Sequence, residues 1–76
     1  MNISQLKTQL EEAGFRRDAY SLKGGLPNEA YCLNKLSDKW EVYYSERGQK
    51  TNLKVFDSED EACRYFYSIL NRALKH

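Results

Sequence analysis

The sequence predicts an α+β domain: an N-terminal helix, a three- to four-stranded antiparallel sheet and a C-terminal helix, with both helices on one sheet face. Three observations carry this. The run Trp40-Glu41-Val42-Tyr43-Tyr44-Ser45-Glu46 has the side-to-side alternation of a strand and stops at the turn Arg47-Gly48. Ser58-Glu59-Asp60-Glu61 matches a capping box, and Ala62, Tyr65, Phe66, Ile69, Leu70 and Ala73 then recur at helical spacing. The 76 residues suffice for one domain, 1–76, and not for two.

Taken in order, Ile3, Leu6, Leu10 and Ala13 share one face of a first helix, with Asn2 or Ser4 as its cap and Gly14 as its stop. A helix this short persists only when docked. Phe15 anchors the departing chain. Residues 19–22 are either a short fourth strand or irregular, and Gly24-Gly25-Leu26-Pro27-Asn28 is a loop by composition. Strands follow over 30–36, 40–46 and 51–56, with turns at 37–39 and 47–49; Gly48 supplies a positive φ. Trp40, Val42 and Tyr44 share one face of the middle strand, and Glu41, Tyr43 and Ser45 the other. Leu53 and Val55 continue the apolar side, Asn52 and Lys54 the polar one. Acidic residues at the start of the last helix, and Arg72, Lys75 and His76 at its end, suit the helix dipole.

Both apolar helix stripes require the same cover, so they pack on one face and leave the opposite one to solvent. That open face is expected to show Glu41, Tyr43, Ser45, Asn52 and Lys54, joined by Tyr31 and Lys35 if Cys32 faces inward. Twelve basic and eleven acidic residues leave a net charge of +1, which favours neither nucleic acid nor an anionic membrane. The N-terminal residues lack the pattern of a signal peptide, and no apolar run approaches the ~20 residues of a membrane span. A cytoplasmic location follows, with Cys32 and Cys63 as buried free thiols. Two cysteines are too few for a zinc site, so neither metal nor cofactor is expected.

Catalysis finds no support in the residues. The one histidine is His76, at the end of the chain, and no nucleophile-elbow, zinc-protease or phosphate-loop pattern occurs. The carboxylates at 57–61 read as a capped helix start. A helix–three strands–helix order also belongs to double-stranded-RNA-binding domains, but those carry lysines where this chain has Glu59, Asp60 and Glu61. Six tyrosines are more than so small a core can hold, and tyrosine favours interfaces. Protein binding is therefore preferred over an RNA-binding-like module; a regulatory adaptor is the other alternative.

Between residues 20 and 70 the chain resembles the small immunity proteins encoded beside bacterial polymorphic toxins, including those of contact-dependent growth inhibition. The resemblance rests on Tyr20-Ser21-Leu22 with Gly25, on Trp40-x-Val42-Tyr43-Tyr44-Ser45-Glu46-Arg47-Gly48, and on Phe56-x-Ser58-Glu59-x-Glu61-Ala62-Cys63-x-Tyr65-Phe66. It implies a cytoplasmic antitoxin that binds one cognate toxin domain, blocks its active site or substrate access, and is monomeric until it forms a 1:1 complex. Many such toxins are nucleases with basic clefts, to which an acidic patch is the natural counterpart. The expected contact surface is the open sheet face with the adjoining turn and helix start: Tyr31, Glu41, Tyr43, Glu46, Arg47, Asp57, Glu59 and Asp60. Arg47 has a competing structural role, as a bridge to Glu46 or Glu61.

Overall fold

The computed structural model describes residues 1–74, leaving the expected cationic helix end at Lys75 and His76 outside the described residues. Its order is α1 (Ile3–Glu12), a 3₁₀ turn (Arg17–Ala19), β1 (Tyr20–Ser21), β2 (Ala30–Lys35), β3 (Trp40–Glu46), β4 (Gln49–Phe56) and α2 (Glu59–Leu74). The α+β class holds. The four strands lie in the order β1-β2-β3-β4, and β1 runs parallel to β2, so the sheet is mixed and not purely antiparallel. The short segment at Tyr20 is thus a true fourth strand.

Local chemistry explains where α1 begins and ends. The Asn2 carboxamide accepts the Gln5 amide at 2.8 Å while Gln5 returns a bond to the Asn2 amide at 3.0 Å. At the other end Gly14 takes φ +82°, and the Gly14 and Phe15 amides donate to the Glu11 and Leu10 carbonyls, a Schellman closure. Phe15 then packs on the core, with its ring edge-on to Tyr67 at 6.4 Å. At the start of α2 the Ser58 hydroxyl accepts the Glu61 amide at 3.1 Å. Glu61 is exposed, and only this half of the expected box is formed among the described residues.

The core joins Leu6 and Leu10 of α1, Leu33 of β2, Val42 of β3, and Ala62, Cys63, Phe66 and Leu70 of α2. The expected α2 stripe is correct except at Ala73, which is exposed; Cys63 joins the buried side instead. Both thiols are free and buried.

The sheet face expected to be open is covered. A parallel β1–β2 pair obliges residues 22–29 to run back across the sheet, and they do so over the side facing away from Leu33 and Val42. The Tyr43 hydroxyl donates to the Gly25 carbonyl at 2.5 Å, and the Ser45 hydroxyl to the Pro27 carbonyl at 2.7 Å. Gly24, at φ +75°, lies so close to Asn34 that a Cβ would fall 2.7 Å from Asn34 Cγ. Glu41, Tyr43 and Ser45 are consequently 5 %, 1 % and 0 % exposed.

β4 also departs from the expected facing. Its two-residue turn, with Arg47 at φ +52° and Gly48 at +73°, has the geometry of a type I′ hairpin and pairs Glu46 with Gln49. Continued evenly, that register would set Leu53 opposite Val42. A bulge intervenes instead: Tyr44 pairs with Thr51 but Val42 with Lys54, and Asn52 sits at φ +53°. The extra residue reverses the facing of everything beyond it. Lys54 and Phe56 turn to the side of Val42 and Trp40, while Leu53 and Val55 are left 43 % and 49 % exposed.

Asn is well suited to the left-handed conformation at this bulge, and a β-branched residue is not. Replacing Asn52 by Val is expected to cost about 1–2 kcal/mol of stability, whereas Asn52→Gly holds it within about 0.5 kcal/mol. Urea denaturation of the two variants checks the pair.

Candidate functional site

The burial just described removes two residues from the expected contact surface. Tyr43 and Glu41 face the crossing loop, not solvent. The Glu41 carboxylate accepts from the Asn34 amide at 2.8 Å and from the Lys50 ammonium at 2.9 Å. Burial penalises that charge, but these two donors hold its carboxyl below the ordinary value. Lys50 also stands 4.8 Å above the Tyr43 ring. Glu41, Tyr43 and Lys50 thus form a structural group that secures the underside of the sheet.

Three acidic positions are engaged in structure too. Glu59 accepts the Ile3 amide at 2.9 Å, and Asp60 pairs with the Met1 amine and with Arg64 at 2.9 Å. Both carboxylates therefore tie the start of α1 to the start of α2, and the Asp60 carboxyl is held below its usual range by those partners. Asp57 pairs with Lys39 at 2.5 Å on the open surface, which contributes little to stability. Arg47 is exposed at the hairpin tip, and among the described residues no ion pair involves it, so the expected bridge to Glu46 or Glu61 is not formed.

Tyr31 leads to the feature that the sequence did not reveal. Its Cα partner is Tyr44, not Tyr43, which places it beside Val42 and Tyr44 on the side of the sheet that meets α2. There it lines a groove of about 280 Å³ with Tyr44, Asn52, Lys54, Tyr65 and Ile69. The Tyr31 and Tyr44 rings lie 4.7 Å apart at 58°, and Tyr65 rests against Phe56 at 5.2 Å with Lys54 5.4 Å above its ring. All three tyrosines are half-buried, so each presents ring surface already fixed by its neighbours. Burial raises the Tyr44 phenol above its ordinary value, and the Glu29 and Glu46 carboxylates and Tyr31 add to the rise. The rim carries one cation, Lys54, and the Glu29 and Glu46 carboxylates lie near Tyr44.

A larger cleft, about 410 Å³, runs beside α1 and β1, lined by Lys7, Glu11, Arg17, Tyr20, Ser21, Leu22 and Lys23. It contains an Arg17–Glu11 pair at 3.5 Å and no nucleophile set beside a base. Among the described residues no cluster of histidine, cysteine and carboxylate side chains could hold a metal ion. No helix among them is long and apolar enough to cross a membrane.

The Tyr43 phenol provides a direct readout of the covered face. Burial, followed by the nearby Cys32 thiol and Glu41 carboxylate, pushes it up to about 12 from an ordinary value of 10.0. A raised value means that the neutral phenol favours the folded state. Its contribution is whole below pH 10 and is lost as pH climbs towards 12, removing roughly 2–3 kcal/mol over that interval. Phenolate absorbance in a pH titration should show a late-ionising step near pH 12, and Tyr43→Phe should remove that step while costing about 1 kcal/mol at neutral pH.

No protein-family model, curated protein or solved structure matches this chain.

Proposed function

We propose that this chain is a small bacterial immunity protein, which binds a cognate toxin domain of the nuclease class and blocks its active site or substrate access without catalysis of its own. In this reading the protein is a cytoplasmic monomer that forms a 1:1 complex, and both helices share one sheet face. The observation that carries it is the groove of Tyr31, Tyr44 and Tyr65, aromatic rings held in place by their neighbours and partly open to solvent. Interfaces of this kind concentrate affinity in a few aromatic anchors, with charges around them setting partner choice and encounter rate. Glu46 and Arg47 at the hairpin end are the adjoining charged contacts. Asp57, Glu59 and Asp60 belong to a second, outlying part of the surface, where the latter two have structural duties first. A standard interface covers about 800 Å² per partner, roughly a sixth of the 5094 Å² of accessible surface. The resemblance in the Trp40 strand and the capped last helix supplies the toxin as the class of partner.

Expression of the chain should rescue cells from the toxin encoded directly upstream, and the two should copurify. Tyr44→Ala should weaken that complex by about 2 kcal/mol, some thirtyfold, while the melting transition stays cooperative. Full rescue by a Tyr31, Tyr44 double alanine variant would exclude the groove. Absence of any complex with the neighbouring gene product would exclude the immunity role.

A further inference from the structure

β4 is an end strand of the sheet, and its eight residues, Gln49–Phe56, are the longest run of any strand. Its inner side pairs with β3. No further backbone hydrogen bond among the described residues covers its outer side. Proteins generally blunt such edges, because an unpaired row of amides and carbonyls templates another strand. Here the bulge at Asn52 does the opposite for side chains: it turns Leu53 and Val55 outward and leaves both half-exposed beside the free edge. On the other side of the same strand Lys54 stands at the mouth of the tyrosine groove.

We propose that the outer edge of β4 accepts an extended segment of a partner protein by strand addition, and that this segment alternates apolar with acidic residues. The alternation follows from the two flanks. Side chains on one face of an added strand meet Leu53 and Val55; those on the other meet Lys54 and the rim of the groove. The charge follows from Lys54: Lys50 is already paired with Glu41, and no carboxylate lies between Gln49 and Phe56 to answer the remaining cation. A second copy of this chain would offer only β4 itself, which has no carboxylate to set against Lys54. The acidic strand is the complementary occupant. This inference stands whether or not the partner is a toxin.

The test uses the full chain and two synthetic peptides as long as β4, one alternating valine with glutamate and one valine with lysine. In amide NMR spectra the glutamate peptide should shift Gln49–Phe56 resonances and slow the exchange of outward β4 amides, while the lysine peptide leaves them unchanged. Lys54→Glu should weaken the glutamate peptide about fivefold or more and admit the lysine peptide. Val55→Lys, at an exposed position, provides a second variant that impairs binding of the glutamate peptide without entering the core. Equal binding of both peptides, shifts confined to another element, or concentration-dependent dimerisation through β4 would each overturn the proposal.

Discussion

One residue's backbone sets the character of this molecule's working edge. With Asn52 in the left-handed region, β4 contains a position that β3 does not match, and the facing of the next four residues is inverted. Phe56 gains a place against Tyr65 and the core, and Lys54 gains the Tyr65 ring. Leu53 and Val55 lose theirs. An even register would have buried two aliphatic residues and set Lys54 across from Glu41. The protein instead keeps its larger aromatic inside, satisfies Glu41 with Lys50, and displays two apolar side chains at an unpaired edge.

The covered underside answers a different problem. A chain of 76 residues has little apolar material, and one sheet with one packed face would leave much of its backbone wet. The crossing segment 22–29 adds a third layer at small expense in sequence. It brings few apolar groups; its hold comes from carbonyls at Gly25 and Pro27 that accept buried hydroxyls, and from the absence of a side chain at Gly24. Hydroxyls that look like surface chemistry in a half-polar strand are in fact the fasteners of a lid made of backbone.

That distinction explains what could be read from the sequence. The caps of both helices, the Gly14 stop, the Arg47-Gly48 turn and the stripe of α2 are local, and each was legible because its chemistry lies within a few residues of its effect. The parallel pairing of β1 with β2 and the return path over Tyr43, whose bonds join residues eighteen apart, are contacts that alternation alone cannot express. Alternation correctly sorted the two sides of β3 but could not say that both sides were inside. In β4 the pattern pointed to the even register, and Asn52, read only as a polar residue, was the one sign of the bulge. Of the anticipated contact residues, Tyr31, Glu46, Arg47, Asp57, Glu59 and Asp60 remain accessible in whole or part, while Glu41 and Tyr43 lie inside. Tyr44 and Tyr65 were passed over because an apolar-face tyrosine reads as core; they sit where the helix stops covering the sheet.

Cys32 and Cys63 are pushed up as acids by burial, Cys63 to about 11 with Glu59 nearby. A sulfur with so little thiolate at neutral pH is a poor nucleophile and a poor target for peroxide. Cys32 lies beneath the crossing segment and Cys63 within the helical core, so each is sheltered by a different layer. The two thiols are therefore quiet towards oxidants in the folded molecule, and each becomes reactive only when the layer above it lifts away.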